Sequence, residues 1–184
     1  MSTNIKVGSV LLAEPFMLDP NFKRTTVLLV DHSAEGSVGF IMNRKMEISV
    51  DELIDDFPEF EAPVYFGGPV GADTVHYLHC RGDLLSGSDE VVKNVFWGGD
   101  FRQLKTLINN KLIKPSDIRF FVGYSGWSDR QLEEELELGS WVPAKMDANY
   151  LFSSEPDSLW KQVMENKGSN FAVIADMEEG ASYN

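Results

Sequence analysis

The sequence predicts an α+β fold, a mixed and largely antiparallel sheet with helices packed on it. Three observations carry this reading. A hairpin pattern stands near the N-terminus, short apolar strands later alternate with capped helical stretches, and no repeat or linker divides the 184 residues. A chain of this length can bury roughly 70% of its unfolded surface around one core, so residues 1–184 are read as a single domain that needs no disulfide or metal. Its 43% hydrophobic and 24% charged residues are ordinary globular composition.

Residues 22–32 (FKRTTVLLVDH) and 37–43 (SVGFIMN) are β-branched and apolar, and SAEG between them is a turn, which makes a hairpin. Ser49 and Glu52 fit a capping box that opens a short helix, and Pro58 ends it. Strands are expected at 64–66, 75–80 and 91–96, separated by the turn GGPVGAD and the loop RGDLLSGSD. Asp100 and Gln103 form a second capping box before Phe101, Leu104, Leu107, Ile108 and Leu112 at helical spacing, closed by Pro115. Residues 118–124 read as an inner strand. A helix follows with Ser128 as N-cap, Gln131 completing an SxxQ box, Trp127 and Leu132 as a hydrophobic staple, and Gly139 as the stop. Ser154 caps a last helix with Pro156 in its first turn and Gly168 at its end, and the tail FAVIADMEEGASYN fits neither pattern well.

Charge and cysteine usage exclude several function classes. Acids outnumber bases 29 to 16, for a net charge of −13, and the longest basic clusters are the pairs Lys23/Arg24 and Arg44/Lys45. Such a surface repels phosphate backbones, so direct nucleic-acid binding is disfavoured. The lone Cys80 cannot form an internal disulfide and is read as packing. The N-terminal run VGSVLLA ends at Glu14 before a signal-peptide core is complete, and no apolar span approaches the ~20 residues that cross a bilayer. A cytoplasmic protein that does not enter membranes is expected.

Several separated stretches, in order, make the chain resemble the bacterial YqgE/AlgH family over nearly its whole length. They are GSVLLAEPFMLDPNFKRTTVLLVDH, GSVGFIMNR, VYFGGPV, GYSGW with QLEEEL, SLWKQV and the terminal SYN. The resemblance implies one family domain over 1–184, and the family's name includes a proposed transcriptional regulator. Three departures stand out: Ser125 where alanine is usual, Arg130 where glycine often precedes QLE, and Lys45 where proline often follows the Asn/Arg pair.

GYSGW approaches the nucleophile elbow GxSxG, but Trp127 occupies the last glycine position, and His32, His76 and His79 all precede Ser125, the wrong order for an α/β-hydrolase. The start of the following helix is self-capped, and Asp129 and Glu133 repel an anion there. Leu132 and Leu136 define its buried stripe, leaving Gln131, Glu133 and Glu135 at its borders, where they either form a solvated acidic face or face a pocket. His76 and His79 point to opposite faces of an extended strand, so no metal site is expected. GGPVG matches no phosphate-loop pattern, and no cofactor is expected. A four-residue turn pairs His32 with Ser37 and Asn43 with Thr26, which places His32 and Asn43 ~20 Å apart at about 3.4 Å per residue. Arg24, Thr25, Asn43 and Arg44 gather at the open end of the hairpin as the one locally basic spot.

The leading expectation is a non-catalytic binding or regulatory protein. Glycine loops at Gly67, Gly68 and GYSGW line a cleft where Asn43, Arg44, Tyr124, Trp127, Gln131 and Glu135 hold a small anionic or planar ligand. The alternative is a hydrolase or transferase with Glu133 or His32 as general base. A third class is an acidic surface that binds a protein partner.

Overall fold

The computed structural model describes residues 4–177, so the terminal SYN and the end of the tail lie outside them. The chain forms β1 (Val10–Ala13), β2 (Thr26–Ser33), β3 (Gly36–Ile41), β4 (Lys45–Ser49), α1 (Val50–Leu53), β5 (Pro63–Phe66), β6 (Val70–His79), β7 (Asp89–Val92), β8 (Val95–Trp97) and α2 (Phe101–Asn109). A 3-10 turn at Pro115–Asp117 leads into β9 (Ile118–Ser128), α3 (Gln131–Glu137), β10 (Trp141–Ala144), α4 (Ala148–Phe152), α5 (Pro156–Asn166) and α6 (Ser169–Ala175). One ten-stranded sheet runs β10-β1-β2-β3-β9-β6-β8-β7, with β5 and then β4 branching from β9. Among the described residues only the β5–β9 pairing is parallel, so the α+β class holds with a largely antiparallel sheet.

Strand alternation sorts the core by face. Val10, Leu12, Leu28 and Phe40 pack with Leu159, Trp160 and Val163 of α5 on one side. Leu11, Ala13, Val27, Leu29 and Ile41 pack with Trp127, Trp141 and Leu132 of α3 on the other. A second end of the sheet covers Phe120 and Ile118 with α1 and with Leu104 and Ile108 of α2. Helices therefore close both faces.

The hairpin forms, but its turn has two residues, Ala34 and Glu35, and a bulge between Leu29 and Asp31 shifts the register by one. His32 still pairs with Ser37, whereas the Thr26 carbonyl accepts from Met42 N rather than pairing with Asn43. The span 91–96 is not one strand. Val92 and Val95 face each other across a tight turn with Asn94 at φ 65°, so β7 and β8 make a hairpin of their own. Strands β1, β4 and β10 and helix α4 answer to no element predicted from the sequence, and α6 occupies part of the ambiguous tail.

Capping also departs from expectation. Ser49 makes no cap bond; its hydroxyl goes to the Asp51 carboxylate, which also takes the Phe60 N–H. Asp100 does cap α2 by accepting from Gln103 N, but the Gln103 side chain accepts from Ser86 instead of reaching back. Glu155 rather than Ser154 flanks α5, with Pro156 at the first helical position. The largest correction concerns GYSGW. β9 does not stop at Tyr124 but continues to Ser128, because its second half finds a new partner in β3 from Gly36 to Gly39. Helix α3 starts later, from Arg130 at φ 61°, and Ser128 bonds the Gln131 side chain instead of capping the helix.

Candidate functional site

The basic spot at the open end of the hairpin becomes a cavity when α5 folds across it. The cavity is about 390 Å³ and is walled by Arg24, Asn43 and Arg44 from the hairpin end and by Asp157, Trp160 and Lys161 from α5. Asn43 fixes the geometry. Buried between the strands, its side chain accepts from Thr26 N at 2.9 Å and donates to Arg24 O at 3.0 Å, which holds Arg24 at φ 51°. The Arg24 guanidinium lies 4.5 Å from the centre of the Trp160 ring and donates to Met177 O, while Arg44 donates to Lys23 O. The Trp160 ring is itself fixed by its N–H to Ala13 O at 2.9 Å. Lys161 pairs with Asp176 at 2.8 Å, and that bond raises its pKa. Arg24, Arg44 and Lys161 thus line one space, with Asp157 as the one carboxylate in its wall and the Lys161 ammonium already paired with Asp176. This arrangement can hold a carboxylate or phosphate.

The other expected ligand-binding residues lie elsewhere. Gly67 sits where β3, β5 and β9 meet: its N–H donates to Val122 O, and its carbonyl accepts from Ile41 N and the buried Ser125 hydroxyl. Gly68 touches the Tyr124 backbone so closely that a Cβ would lie 2.2 Å from the Tyr124 carbonyl carbon. These glycines join strands. Tyr124 packs on the α5 face of the sheet, edge-on to His76 at 5.9 Å. Trp127 lies on the opposite face. There Glu135 accepts from the indole N–H of both Trp127 and Trp141 at 2.8 Å, and from Gln131 at 3.0 Å. Glu135 and Gln131 therefore bind α3 to the sheet, a role that the border of a helical stripe does not announce.

His32 and Glu133, considered separately as bases, do meet. The His32 Nε2 is 3.8 Å from the Glu133 carboxylate, and its Nδ1 is 2.6 Å from the Ser37 hydroxyl. Ser37 itself is buried. His32 lies at the turn end of the hairpin and Asn43 beyond the other end of β3, so the two belong to different places. His76 and His79 pack on different faces, against Phe40 and against Tyr77 and Phe96. His79 is fully buried and held neutral: Nδ1 accepts from Arg81 N at 3.1 Å, and Nε2 donates to Gly98 O at 2.9 Å. Burial pushes its pKa below the usual value, and burial does the same to His76. Burial, aided by Asp117, pushes the Cys80 thiol up. Among the described residues, no three His, Cys, Asp or Glu side chains converge as a metal site, and no helix is long and apolar enough to cross a membrane.

Trp160 and Lys161 were missed as site residues. They read as an ordinary amphipathic helix, and no local spacing links them to Arg24 and Arg44 more than a hundred positions earlier. Arg24 was the one available signal, since it stands in the basic spot already noted.

Comparison with known proteins fits this architecture. The AlgH-like family model matches residues 10–172. A UPF0301 protein of Chlorobaculum tepidum is 47% identical over 175 residues, covering 95% of this chain and 94% of that protein. One from Chlorobium phaeobacteroides is 45% identical, covering 95% and 94%. The solution structure of the AlgH protein from Pseudomonas aeruginosa is similar with a TM-score of 0.75 at 26% identity, covering 98% of each chain. A crystal structure of a Corynebacterium diphtheriae protein shares the fold, with a TM-score of 0.76 at 22% identity over 96% of this chain and 95% of that one. The chain belongs to the AlgH-like family.

Proposed function

From membership of the AlgH-like family as premise, we propose that this protein is a non-catalytic binding or regulatory protein that holds a small anionic ligand between the hairpin and α5. The observation that carries the reading is that Arg24, Arg44 and Lys161 line one cavity in a chain of net charge −13. Guanidinium forks recognise a carboxylate or phosphate in two places at once, and the Trp160 ring beneath Arg24 keeps one fork pre-oriented. Because the first turn of α5 forms a wall, a bound anion would bridge sheet and helix, and its presence would be felt by the α5–α6 pair.

Titration calorimetry with inorganic phosphate and with citrate tests this. Saturable binding to the native chain should fall about tenfold or more in Arg44→Ala and in Arg24→Ala, the loss expected for a charge-assisted bond. Near-ultraviolet circular dichroism should be unchanged. Equal affinity in the variants, or a collapsed fold, sinks the assignment.

A second reading, a hydrolase or transferase with His32 or Glu133 as general base, draws support from the Ser37–His32–Glu133 arrangement. It requires turnover of a p-nitrophenyl ester or phosphate that Glu133→Gln abolishes in a folded protein. Binding without turnover favours the first reading.

A further inference from the structure

Away from the arginine cavity, the edge strand β10 and the end of α5 enclose a second space. It is about 480 Å³, and Lys6, Lys145 and Lys167 stand in its wall with Val7, Val92 and Met146. Its floor includes Gly8, at φ 92°, where a Cβ would lie 2.9 Å from Val91 O, so the N-terminal segment lies directly on β7. An adjoining cavity of about 240 Å³ shares Ala144, Lys145 and Lys167 and adds Tyr150 and Asn166. No described residue in either wall is acidic, although acids outnumber bases 29 to 16 in the chain. That separation of charge is the opposite of what the composition supplies at random.

The polar groups are partly fixed. Lys167 donates to Pro143 O and lies 5.2 Å from the Phe171 ring centre, so its ammonium is held at the rim rather than swinging in solvent. Asn166 donates to the Tyr150 hydroxyl at 2.7 Å, which leaves the phenol proton to donate. Ammonium groups act as point charges without the planar fork of arginine, and the wall between them is aliphatic. We propose that this groove is a second binding site, for an amphiphilic organic anion: one carboxylate or phosphate head held by Lys6 and Lys145, and an apolar body laid against Val7, Val92 and Met146. It is separate from the arginine cavity, and the two share no wall residue.

Titration calorimetry with decanoate, acetate and decanol separates the contributions of head and body. In the Arg24→Ala/Arg44→Ala chain, which lacks the forks of the arginine cavity, decanoate is expected to bind one to one, with acetate silent and decanol weaker by about tenfold or more. The exposed pair Lys6→Ala and Lys145→Ala, which carry none of the fixed bonds, should together weaken decanoate by about tenfold or more. The lysine pair should leave phosphate binding at the arginine cavity unchanged, so this site can fail or stand without the other. A decyl phosphate arm tells which head is preferred. Absence of saturable binding by both decanoate and decyl phosphate, equal affinity for decanol, or binding indifferent to the lysine pair overturns the proposal.

Discussion

Glu135 shows how much one carboxylate can hold. Trp127 and Trp141 are 6% and 4% exposed, and both indole N–H groups end on its Oε2. Glu135→Ala leaves two buried donors without an acceptor, so it should cost about 2–4 kcal/mol. Urea unfolding read by tryptophan fluorescence checks this, and a loss below 1 kcal/mol would show that water replaces the carboxylate. His79 makes a prediction in pH. Its native pKa lies below 6.5, so the unfolded chain takes up a proton that the native chain refuses. Its contribution to stability is complete above pH 6.5 and declines as pH falls from there toward the native pKa. The urea midpoint should therefore drop between pH 7 and 5, with a smaller slope in His79→Gln, the remainder coming partly from His76. A slope unchanged by His79→Gln would place the titration elsewhere. Sequence reasoning reached the opposite facing of His76 and His79, because strand alternation is local. It could not reach the Glu135 clamp, since Trp141 arrives through strand pairing with β1.

Helix α3 begins at a strained residue. Arg130 flanks it at φ 61° with no side-chain bond to the helix. A side chain pays about 1–2 kcal/mol in that conformation. Glycine avoids the penalty but loses chain entropy on folding. The net expectation for Arg130→Gly is a gain of about 0.5–1 kcal/mol, or a Tm raised by about 1–4 °C. A lowered Tm would mean that the arginine makes a compensating contact. Ser125, the neighbouring departure, is explained by the same joint. Its buried hydroxyl reaches Gly67 O, a carbonyl that already accepts from Ile41 N, so alanine there forfeits little. The sequence marked the helix correctly from its apolar stripe but misplaced its start. Nothing in GYSGWS signals that β3 will pair with it and extend the strand by four residues, from 125 to 128. The inner strand β1, paired with β10 on one side and β2 on the other, escaped for a related reason: four buried residues in a row carry no alternation to read.

For the whole molecule, the charge of −13 sets two effects of salt against each other. Surface carboxylates repel one another in the folded state more than in the expanded one, so screening them favours folding. The same screening weakens any anion held by Arg24, Arg44 and Lys161. Raising sodium chloride from 20 to 500 mM shortens the screening length from roughly 20 Å to about 4 Å. Over that range Tm should rise while phosphate affinity falls. The double variant Arg24→Ala/Arg44→Ala separates the two, because removing two cations takes the charge from −13 to −15. Its Tm should depend more steeply on salt than that of the native chain, and phosphate should stabilise it no more than sodium chloride at equal ionic strength. In the native chain at low salt, phosphate should stabilise beyond that ionic-strength control, since a ligand bound only to the folded state shifts the equilibrium by mass action. If phosphate and chloride stabilise the native chain equally at matched ionic strength, the cavity binds no phosphate and the arginines serve only to join the hairpin to α5.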